Sequence, residues 1–276
     1  MSLRVGGDNL IEILRKILPP RIREKIGMLM DKYPLLFLPL MWVIFRMFII
    51  PLFDGKFLII SPSQKIKLKV RDKGWIIYQE IFRDNIYERR YKVKRGDVVI
   101  DVGANVGIFT LKVAKTVGRS GLCIAIEPEP INFKLLEENT KQYNNVVRLQ
   151  EAVGDAEGYV KLYLAETSVG HSIKKDYGLG HITVKMETLD RIVERFNIKK
   201  VDFIKIDTEG CEFEVLKGSK KILSLFGPNL ALECHSTQDL HKILNYLKHF
   251  GYEYEVVSSE SEFYPELKLI YAWRRQ

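Results

Sequence analysis

Apolar and polar positions alternate in a regular order from about residue 96 onward. Short apolar runs, such as residues 98–102, 122–126 and 203–206, are each followed by a stretch with apolar residues at helical spacing. Strands that alternate with helices predict an α/β fold with a mostly parallel sheet covered by helices on both faces. The last two apolar runs, at 252–257 and 267–273, have no long helix between them and predict an antiparallel hairpin at one sheet edge.

The pattern gives the following elements in full. Strands are predicted at 57–60, 66–70, 98–102, 122–126, 146–153, 159–165, 182–186, 203–206, 230–234, 252–257 and 267–273. Helices are predicted at 78–91, 108–117, 130–143, 189–196, 212–225 and 239–250.

An apolar segment precedes the regular region. Residues 34–53 read PLLFLPLMWVIFRMFIIPLF, which is long enough to cross a bilayer but contains three prolines and Arg46. Three interpretations stay open: a helix lying on a membrane surface, a spanning helix, and a segment packed in a core or an oligomer interface. Lying on the surface is favoured over crossing, because a span with its basic N-terminal flank inside would place the main domain outside. The predicted domains are a partly helical extension over 1–55 and a main domain over 56–276, with its core at 96–258.

Composition and charge narrow the class of protein. The 276 residues are 46% hydrophobic and 28% charged, as expected for a folded globular protein. The formal net charge of +8 suits an anionic partner, such as nucleic acid, a phosphorylated sugar or a membrane surface, or simply reflects a lysine-rich surface. The three cysteines form no CxxC pair, so neither a disulfide framework nor a zinc site is predicted, and a cytoplasmic location is expected.

A glycine-containing loop follows the first strand of the regular region. The sequence VIDVGANVGIFT at 99–110 has Asp101 near the strand end, and Gly103 and Gly107 lie before a predicted helix. In an open α/β sheet such a loop lies at the carboxyl ends of the strands, where ligands bind, and glycine permits close approach of the backbone. The loop lacks the middle glycine of GxGxxG, and Asp101 would repel a pyrophosphate.

Glu127 and Pro128 follow the next strand, Glu127 standing 24 positions after Gly103. A carboxylate at this place in the fold accepts hydrogen bonds from ribose hydroxyls. Together with a loop that suits a positively charged ligand, it indicates S-adenosylmethionine, which carries an amino group, a sulfonium and a ribose. The alternative is a tight strand-to-helix turn without a ligand.

Six motifs, in order, resemble those of the FkbM-type methyltransferases, which depend on S-adenosylmethionine. They are DVGANVGIFT at 101–110, IEPEP at 126–130 with Asn132-Phe133, EAVGD at 151–155, TLD at 188–190, DFIKIDTEGCE at 202–212 and LECH at 232–235. The resemblance covers residues 75–258 and nothing before residue 60. It implies a class I methyltransferase fold, with a Rossmann-like sheet of seven strands, and O-methylation of sugars or of hydroxyl groups on natural products.

The resemblance also implies cofactor contacts. It places the methionine end of the cofactor at Asp101, Gly103, Asn105 and Gly107, the ribose diol at Glu127 and Pro128, and the adenine beside Glu151 and Ala152.

Acidic residues and one histidine follow the fourth and fifth strands of the regular region. Asp207, Glu209 and Glu212 come after one strand, and Glu233 and His235 end the next. Methyl transfer to a hydroxyl needs a group that accepts the proton; His235 has a suitable ordinary pKa, and Asp207 is the alternative base or orienting group, with Glu209 beside it. Two other interpretations stay open: a Mg or Mn site made by Asp207, Glu209 and His235, and carboxylates that cap the following helix.

The loop SVGHS at 168–172 resembles the variable substrate segment of the family. His171 and Ser172 are predicted to contact the acceptor, and so is Glu212.

The sequence does not name the acceptor. A sugar, a glycan or another small hydroxyl compound is expected; the alternatives are a nucleic-acid or protein methyltransferase, and an inactive Rossmann-like module docked on a membrane. Nucleic acid is disfavoured, because the segment IDTEG at 206–210 has two acids, which repel phosphate, and lacks the prolines of amine-methylating enzymes. Membrane-surface contact through 34–53 and homo-oligomerisation are further partner hypotheses, and a divalent metal is not favoured.

Overall fold

The computed structural model describes residues 4–5, 8–9, 48–51, 56–61, 66–258 and 267–275. The chain divides into two compact units, residues 1–49 with 59–66, and residues 50–58 with 67–276. The predicted domain boundary between residues 55 and 56 stays a prediction.

Most of the apolar segment 34–53 lies outside the described residues, and its contact with a membrane stays a prediction. The part that is described, Phe48–Pro51, is a strand, in keeping with its β-branched Ile49 and Ile50. No helix within the described part of the chain is both long enough and apolar enough to cross a membrane.

The strands before the regular region are β1 Arg4–Val5, β2 Asp8–Asn9, β3 Phe48–Pro51, β4 Phe57–Ser61 and β5 Ile66–Val70. The strands predicted at 57–60 and 66–70 are thus confirmed. The helix predicted at 78–91 begins earlier, as α1 Gly74–Gln79, and continues as a π-helical turn, Glu80–Asp84. Asn85 then adopts a left-handed φ of 54°, which ends the regular helix, and Ile86–Glu88 form a 3-10 turn.

The regular region contains the remaining elements. In chain order they are β6 Val98–Val102, α2 Ile108–Val117, β7 Leu122–Ile126, α3 Pro130–Thr140, β8 Val146–Leu149, β9 Ala152–Val153, β10 Gly158–Tyr163, β11 His181–Glu187, α4 Leu189–Arg195, β12 Phe203–Ile206, α5 Glu212–Lys217, α6 Lys220–Leu225, β13 Asn229–Cys234, α7 Thr237–His249, β14 Glu253–Ser258 and β15 Lys268–Trp273.

Seven of these strands form the main sheet, in the order β14-β15-β13-β12-β6-β7-β8. Strands β13, β12, β6, β7 and β8 run parallel, and β15 lies antiparallel between β13 and β14. The predicted seven-stranded, mostly parallel sheet and its antiparallel edge hairpin are confirmed. The parallel strands are buried on both faces, so they read as near-continuous apolar runs, interrupted by Asp101 in β6 and Lys205 in β12.

Two predicted elements, the strand at 146–153 and the helix at 212–225, are each divided in the structure. The strand predicted at 146–153 is two strands, because β8 belongs to the main sheet and β9 pairs with β11 in a small sheet, β10-β11-β9. The helix predicted at 212–225 is interrupted at Gly218. A Cβ on Gly218 would lie 2.1 Å from the main-chain oxygen of Gly154, so this contact requires glycine.

Strand register brings the polar groups of the sheet together at one edge. β6 and β12 pair with Asp101 opposite Lys205, and β12 and β13 pair with Ile206 opposite Leu232. The residues that follow Ile206 and Leu232 therefore lie side by side at the carboxyl edge, where the glycine loop also begins.

Candidate active site

The glycine loop is fixed by contacts with neighbouring strands and helices. The amide of Gly103 donates to the main-chain oxygen of Ile126 at 3.0 Å, and Gly103 has a left-handed φ of 72°. A Cβ on Gly103 would lie 1.8 Å from the main-chain oxygen of Asp207, and one on Gly107 would lie 2.6 Å from Leu136 Cδ1. Both glycines are thus required by the approach of other parts of the protein, which holds the loop against the end of β12.

Glu127 is buried beneath this loop. Its Oε2 accepts from the amide of Asn105 at 2.8 Å and its Oε1 accepts from the amide of Glu129 at 3.0 Å. Burial raises the pKa of Glu127 to about 7, although the two amide hydrogen bonds lower it. A carboxylate has about four acceptor positions, so Glu127 keeps two for further donors.

Asp101 was expected to contact a ligand, but its side chain contacts only protein groups among the described residues. Its side chain is fully buried; Oδ2 accepts from the hydroxyl of Thr110 at 2.6 Å, and Oδ1 lies 3.4 Å from Lys205 Nζ. The carboxylate therefore has no accessible surface to offer a ligand, and it supports the loop from within.

The loop between β10 and β11 is fastened over the glycine loop through Ser168. The main-chain oxygen of Ser168 accepts from Asn105 Nδ2 at 3.0 Å and from Asn132 Nδ2 at 2.9 Å. The amide of Ser168 donates to both carboxylate oxygens of Asp72, at 3.0 and 3.1 Å. We call residues 165–172 the strap.

His171 and Ser172 hold the strap, and their contact with the acceptor stays a prediction. His171 Nδ1 accepts from the amide of Ala165 at 3.0 Å, and burial lowers the pKa of His171, so its imidazole is neutral. Ser172 is fully buried, and its hydroxyl donates to the main-chain oxygen of Glu209 at 2.8 Å. Neither contact was evident from the sequence, because both depend on how the loop folds back.

Four carboxylates surround His235 at the ends of β12 and β13. We call these five residues the acidic cluster: His235, Asp207, Glu209, Glu212 and Glu233. His235 Nδ1 lies 3.0 Å from Glu212 Oε1, and Nε2 lies 3.5 Å from Glu209 Oε2 and 3.9 Å from Glu233 Oε2. The predicted grouping of these residues is therefore seen in the structure. We call the space between the glycine loop and the acidic cluster the crevice.

The acidic cluster changes the expected role of His235. Burial lowers the pKa of His235, but the hydrogen bond to Glu212 and the charges of Glu209 and Asp207 outweigh it and raise the pKa to about 10. With this pKa the imidazole is protonated at neutral pH, which does not suit a general base, and the role of His235 stays a prediction. Burial, assisted by Asp207, raises the pKa of Glu209 to about 7 and that of Glu233 to about 8.

Glu212 supports the loop after β12. It is buried, and its Oε1 accepts from the amides of Thr208 at 3.3 Å and Gly210 at 2.9 Å. These hydrogen bonds hold the loop that precedes α5, whose N-cap has no side-chain hydrogen bond, so Glu212 does not cap the helix. Contact of Glu212 with the substrate stays a prediction.

The sequence reasoning missed Tyr87 and Lys205. The hydroxyl of Tyr87 donates to Glu233 Oε1, although Tyr87 precedes the regular region. Lys205 Nζ donates to the main-chain oxygen of Gly103 at 2.6 Å and lies 3.4 Å from Asp207 Oδ2. A lysine inside the apolar run FIKI was the available signal, since a charge on a strand buried on both faces needs partners.

Within the described residues, one group of side chains has the spacing to hold a metal ion, and its composition differs from the one predicted. Donor atoms of Asp207, Glu233 and His235 lie within 4.8 Å of one another, whereas the predicted group contained Glu209. Both N–H groups of protonated His235 face carboxylates, so this side chain must lose a proton before it binds a metal.

Glu151 and Ala152 follow β8, the edge strand of the main sheet. Glu151 forms ion pairs with Lys185 at 3.2 Å and Arg195 at 3.0 Å, and these outweigh burial and lower its pKa. Ala152 is buried in β9. Contact of these two residues with adenine stays a prediction.

Comparison with known proteins matches residues 101–254 to the methyltransferase FkbM domain. The hexuronic acid methyltransferase AglP of Haloferax volcanii is 28% identical over 135 residues, which cover 48% of this chain and 54% of AglP. The 31-O-demethyl-FK506 methyltransferase FkbM of Streptomyces tacrolimicus is 38% identical over 85 residues, covering 30% of this chain and 32% of that protein.

A solved structure supports the fold. The methyltransferase FkbM from Methylobacillus flagellatus KT superposes with a TM-score of 0.55 at 18% identity, over 71% of this chain and 48% of that one. The chain thus spans about half the length of this protein and of AglP.

Proposed function

Because the chain belongs to the FkbM methyltransferase family, we propose that it is an S-adenosylmethionine-dependent O-methyltransferase whose acceptor is a hydroxyl group of a sugar, a glycan or another small molecule. The observation that carries the proposal is the contact between the glycine loop and β12. This contact brings the glycine loop beside the acidic cluster, so a donor held by the loop would lie next to the groups proposed to handle the acceptor.

The residues present fit S-adenosylmethionine. Glu127 is buried, has a raised pKa and keeps two acceptor positions, which suit the two hydroxyls of a ribose. The acidic cluster favours a ligand that carries positive charge, because the pKa values of both cations in contact with it, Lys205 and His235, are raised in spite of burial. When bound, S-adenosylmethionine supplies an electrophilic methyl group on a sulfonium.

Glu209 is the best-placed proton acceptor of the cluster. Its pKa of about 7 leaves it partly ionised at neutral pH, whereas Glu233 is mostly protonated and His235 is an imidazolium. We assign Glu209 to take the proton of the acceptor hydroxyl, and Asp207, which is partly exposed, to orient that hydroxyl. His235 then balances the charge of ionised Glu209 from 3.5 Å.

The acceptor class rests on three supports. Two relatives are named for a hexuronic acid and for an O-demethylated compound. The cluster holds acids suited to deprotonating a hydroxyl. Lys205 and His235 are already paired with protein carboxylates. A carboxylate on the acceptor would therefore be repelled by these carboxylates and would find no free cation there among the described residues. We therefore expect the methylated hydroxyl to lie on a neutral part of the acceptor.

Calorimetric titration tests this function. S-adenosylmethionine is titrated into the wild type, Glu127→Ala and the surface control Glu194→Ala, each checked for folding by circular dichroism. Binding to the wild type and the control, with loss in Glu127→Ala, supports the proposal. A folded wild type that binds neither S-adenosylmethionine nor S-adenosylhomocysteine contradicts it.

A further inference from the structure

Lys205 is a buried cation at the centre of the site. Its side chain is 4% exposed, and Nζ lies 3.4 Å from Asp101 Oδ1 and 3.4 Å from Asp207 Oδ2. Nζ also donates to the main-chain oxygens of Gly103, at 2.6 Å, and Val102, at 3.3 Å. The ammonium therefore joins the ends of two neighbouring strands and the first residue of the glycine loop.

Lys205 also contacts Tyr87, which comes from the segment before the regular region. Its Nζ lies 5.3 Å from the centre of the Tyr87 ring, and the Tyr87 hydroxyl donates to Glu233. One side chain thus touches the loop, both strand-end aspartates and the tyrosine that binds Glu233. A ligand cannot reach Lys205, because protein encloses the polar end of its side chain.

Stability alone is a weak reason for a lysine at this position. A buried ion pair is often replaced by apolar side chains of similar volume with no loss of stability, since removing charges from water is costly. The other three residues of β12 are apolar, and methionine would suit the same strand. The particular contacts of Lys205 therefore point to a role in shaping the site.

We propose that Lys205 is a positioning residue for donor binding, which fixes the glycine loop through Gly103 and directs the Asp207 carboxylate into the crevice. The inference rests on the proposed function, since it concerns the binding of S-adenosylmethionine. It assigns Lys205 no contact with donor or acceptor.

The test separates positioning from stability. Lys205→Met leaves the buried Asp101 charge without its cation, and we expect it to lower the melting temperature strongly. The double variant Asp101→Asn/Lys205→Met removes both charges, and Asn can still accept from Thr110. We expect the double variant to recover most of the melting temperature. Its affinity for S-adenosylmethionine should stay lower than that of the wild type by roughly tenfold to a hundredfold, the range seen for outer-shell residues of metal sites.

A matched control comes from another enclosed lysine. Lys112 forms an ion pair with Glu88, and their side chains are 16% and 9% exposed. The variant Glu88→Gln/Lys112→Met removes this pair, which makes no hydrogen bond or ion pair with Lys205 among the described residues, although Glu88 follows Tyr87 in the chain. It should change stability, and its effect on the calorimetric dissociation constant should be smaller than that of the Asp101→Asn/Lys205→Met variant.

Each outcome decides the question. If stability and affinity recover together in the Asp101→Asn/Lys205→Met variant, or if that variant does not fold, Lys205 is structural and the inference is wrong. If the wild type binds S-adenosylmethionine and the double variant binds equally well, only the inference fails. If the folded wild type does not bind, the proposed function fails and the inference falls with it.

Discussion

The main-chain oxygen of Asp207 lies 1.8 Å from the point where a Cβ on Gly103 would stand. This contact joins the loop that follows β6 to the residue that follows β12, and no side chain larger than hydrogen fits between them. The glycine loop and the segment that begins at Asp207 thus approach each other closely through their backbones.

Gly103→Ala is expected to separate the two strand ends and abolish S-adenosylmethionine binding, with a clear loss of stability, because backbone must move to admit the methyl group. Gly178→Ala is the matched control. Gly178 has nearly the same φ, 74° against 72°, but nothing lies within 4 Å of its added Cβ. Both variants carry the same left-handed strain. Chemical denaturation and calorimetry that show equal effects for the two would contradict the role of the contact.

Asp207→Asn tests the charge of the crevice. The carboxylate is partly exposed and faces the cluster, so its removal should weaken binding of the positively charged sulfonium more than binding of the neutral thioether. We expect the ratio of affinities for S-adenosylmethionine over S-adenosylhomocysteine to fall roughly tenfold, as one lost charge interaction predicts. Asp155→Asn, at a surface ion pair with Lys217, should leave the ratio unchanged. An equal loss for both ligands would argue against an electrostatic role.

His235 gives the protein a distinctive pH dependence. Its pKa is about 10 in the folded state and 6.5 ordinarily, so below pH 6.5 both states bind the proton and the stabilisation is complete. As the pH rises from 6.5 to 10, the unfolded chain releases this proton first, and the free energy of unfolding falls. Denaturation curves between pH 7 and 9.5 should show a weaker decline for His235→Gln than for the wild type. His249→Gln, at an exposed histidine, should follow the wild type, and parallel curves for all three proteins would refute the raised pKa.

The strap depends on Asp72. Asp72→Ala removes both hydrogen bonds to the amide of Ser168, so we expect faster hydrogen exchange over residues 165–172. Asp176→Ala is the control, because the Asp176 carboxylate accepts from the amide of Gly178 in the neighbouring turn, outside the strap. Unchanged exchange in Asp72→Ala would show that the strap is held by other contacts.

The sheet could be predicted because its signals are local. Each apolar run and the helical stretch after it lie within about thirty residues, the span of one strand–helix–strand unit. Because such connections between parallel strands are right-handed, the strand order then determines which face of the sheet each helix covers. The same holds for Glu127, whose place after β7 decides its position beneath the loop.

The partners of individual side chains could not be predicted in this way. Asp101 was expected to face a ligand, but its carboxylate turns to Lys205, which stands 104 positions further along the chain at the paired place in β12. The pKa of His235 likewise depends on Glu209 and Glu212, which come from a different loop. Such effects depend on distances between strands, which an apolar pattern does not contain.

The antiparallel position of β15 has a consequence for the order of biosynthesis. β13, which holds Glu233, pairs on its outer side with β15, whereas the earlier-made β14 pairs with β15 alone among the described strands. A ribosome therefore releases the glycine loop and Glu127 long before β13 gains its second neighbour. The strand that carries Glu233 therefore keeps an unpaired outer edge, among the described strands, until residues 268–273 have been made.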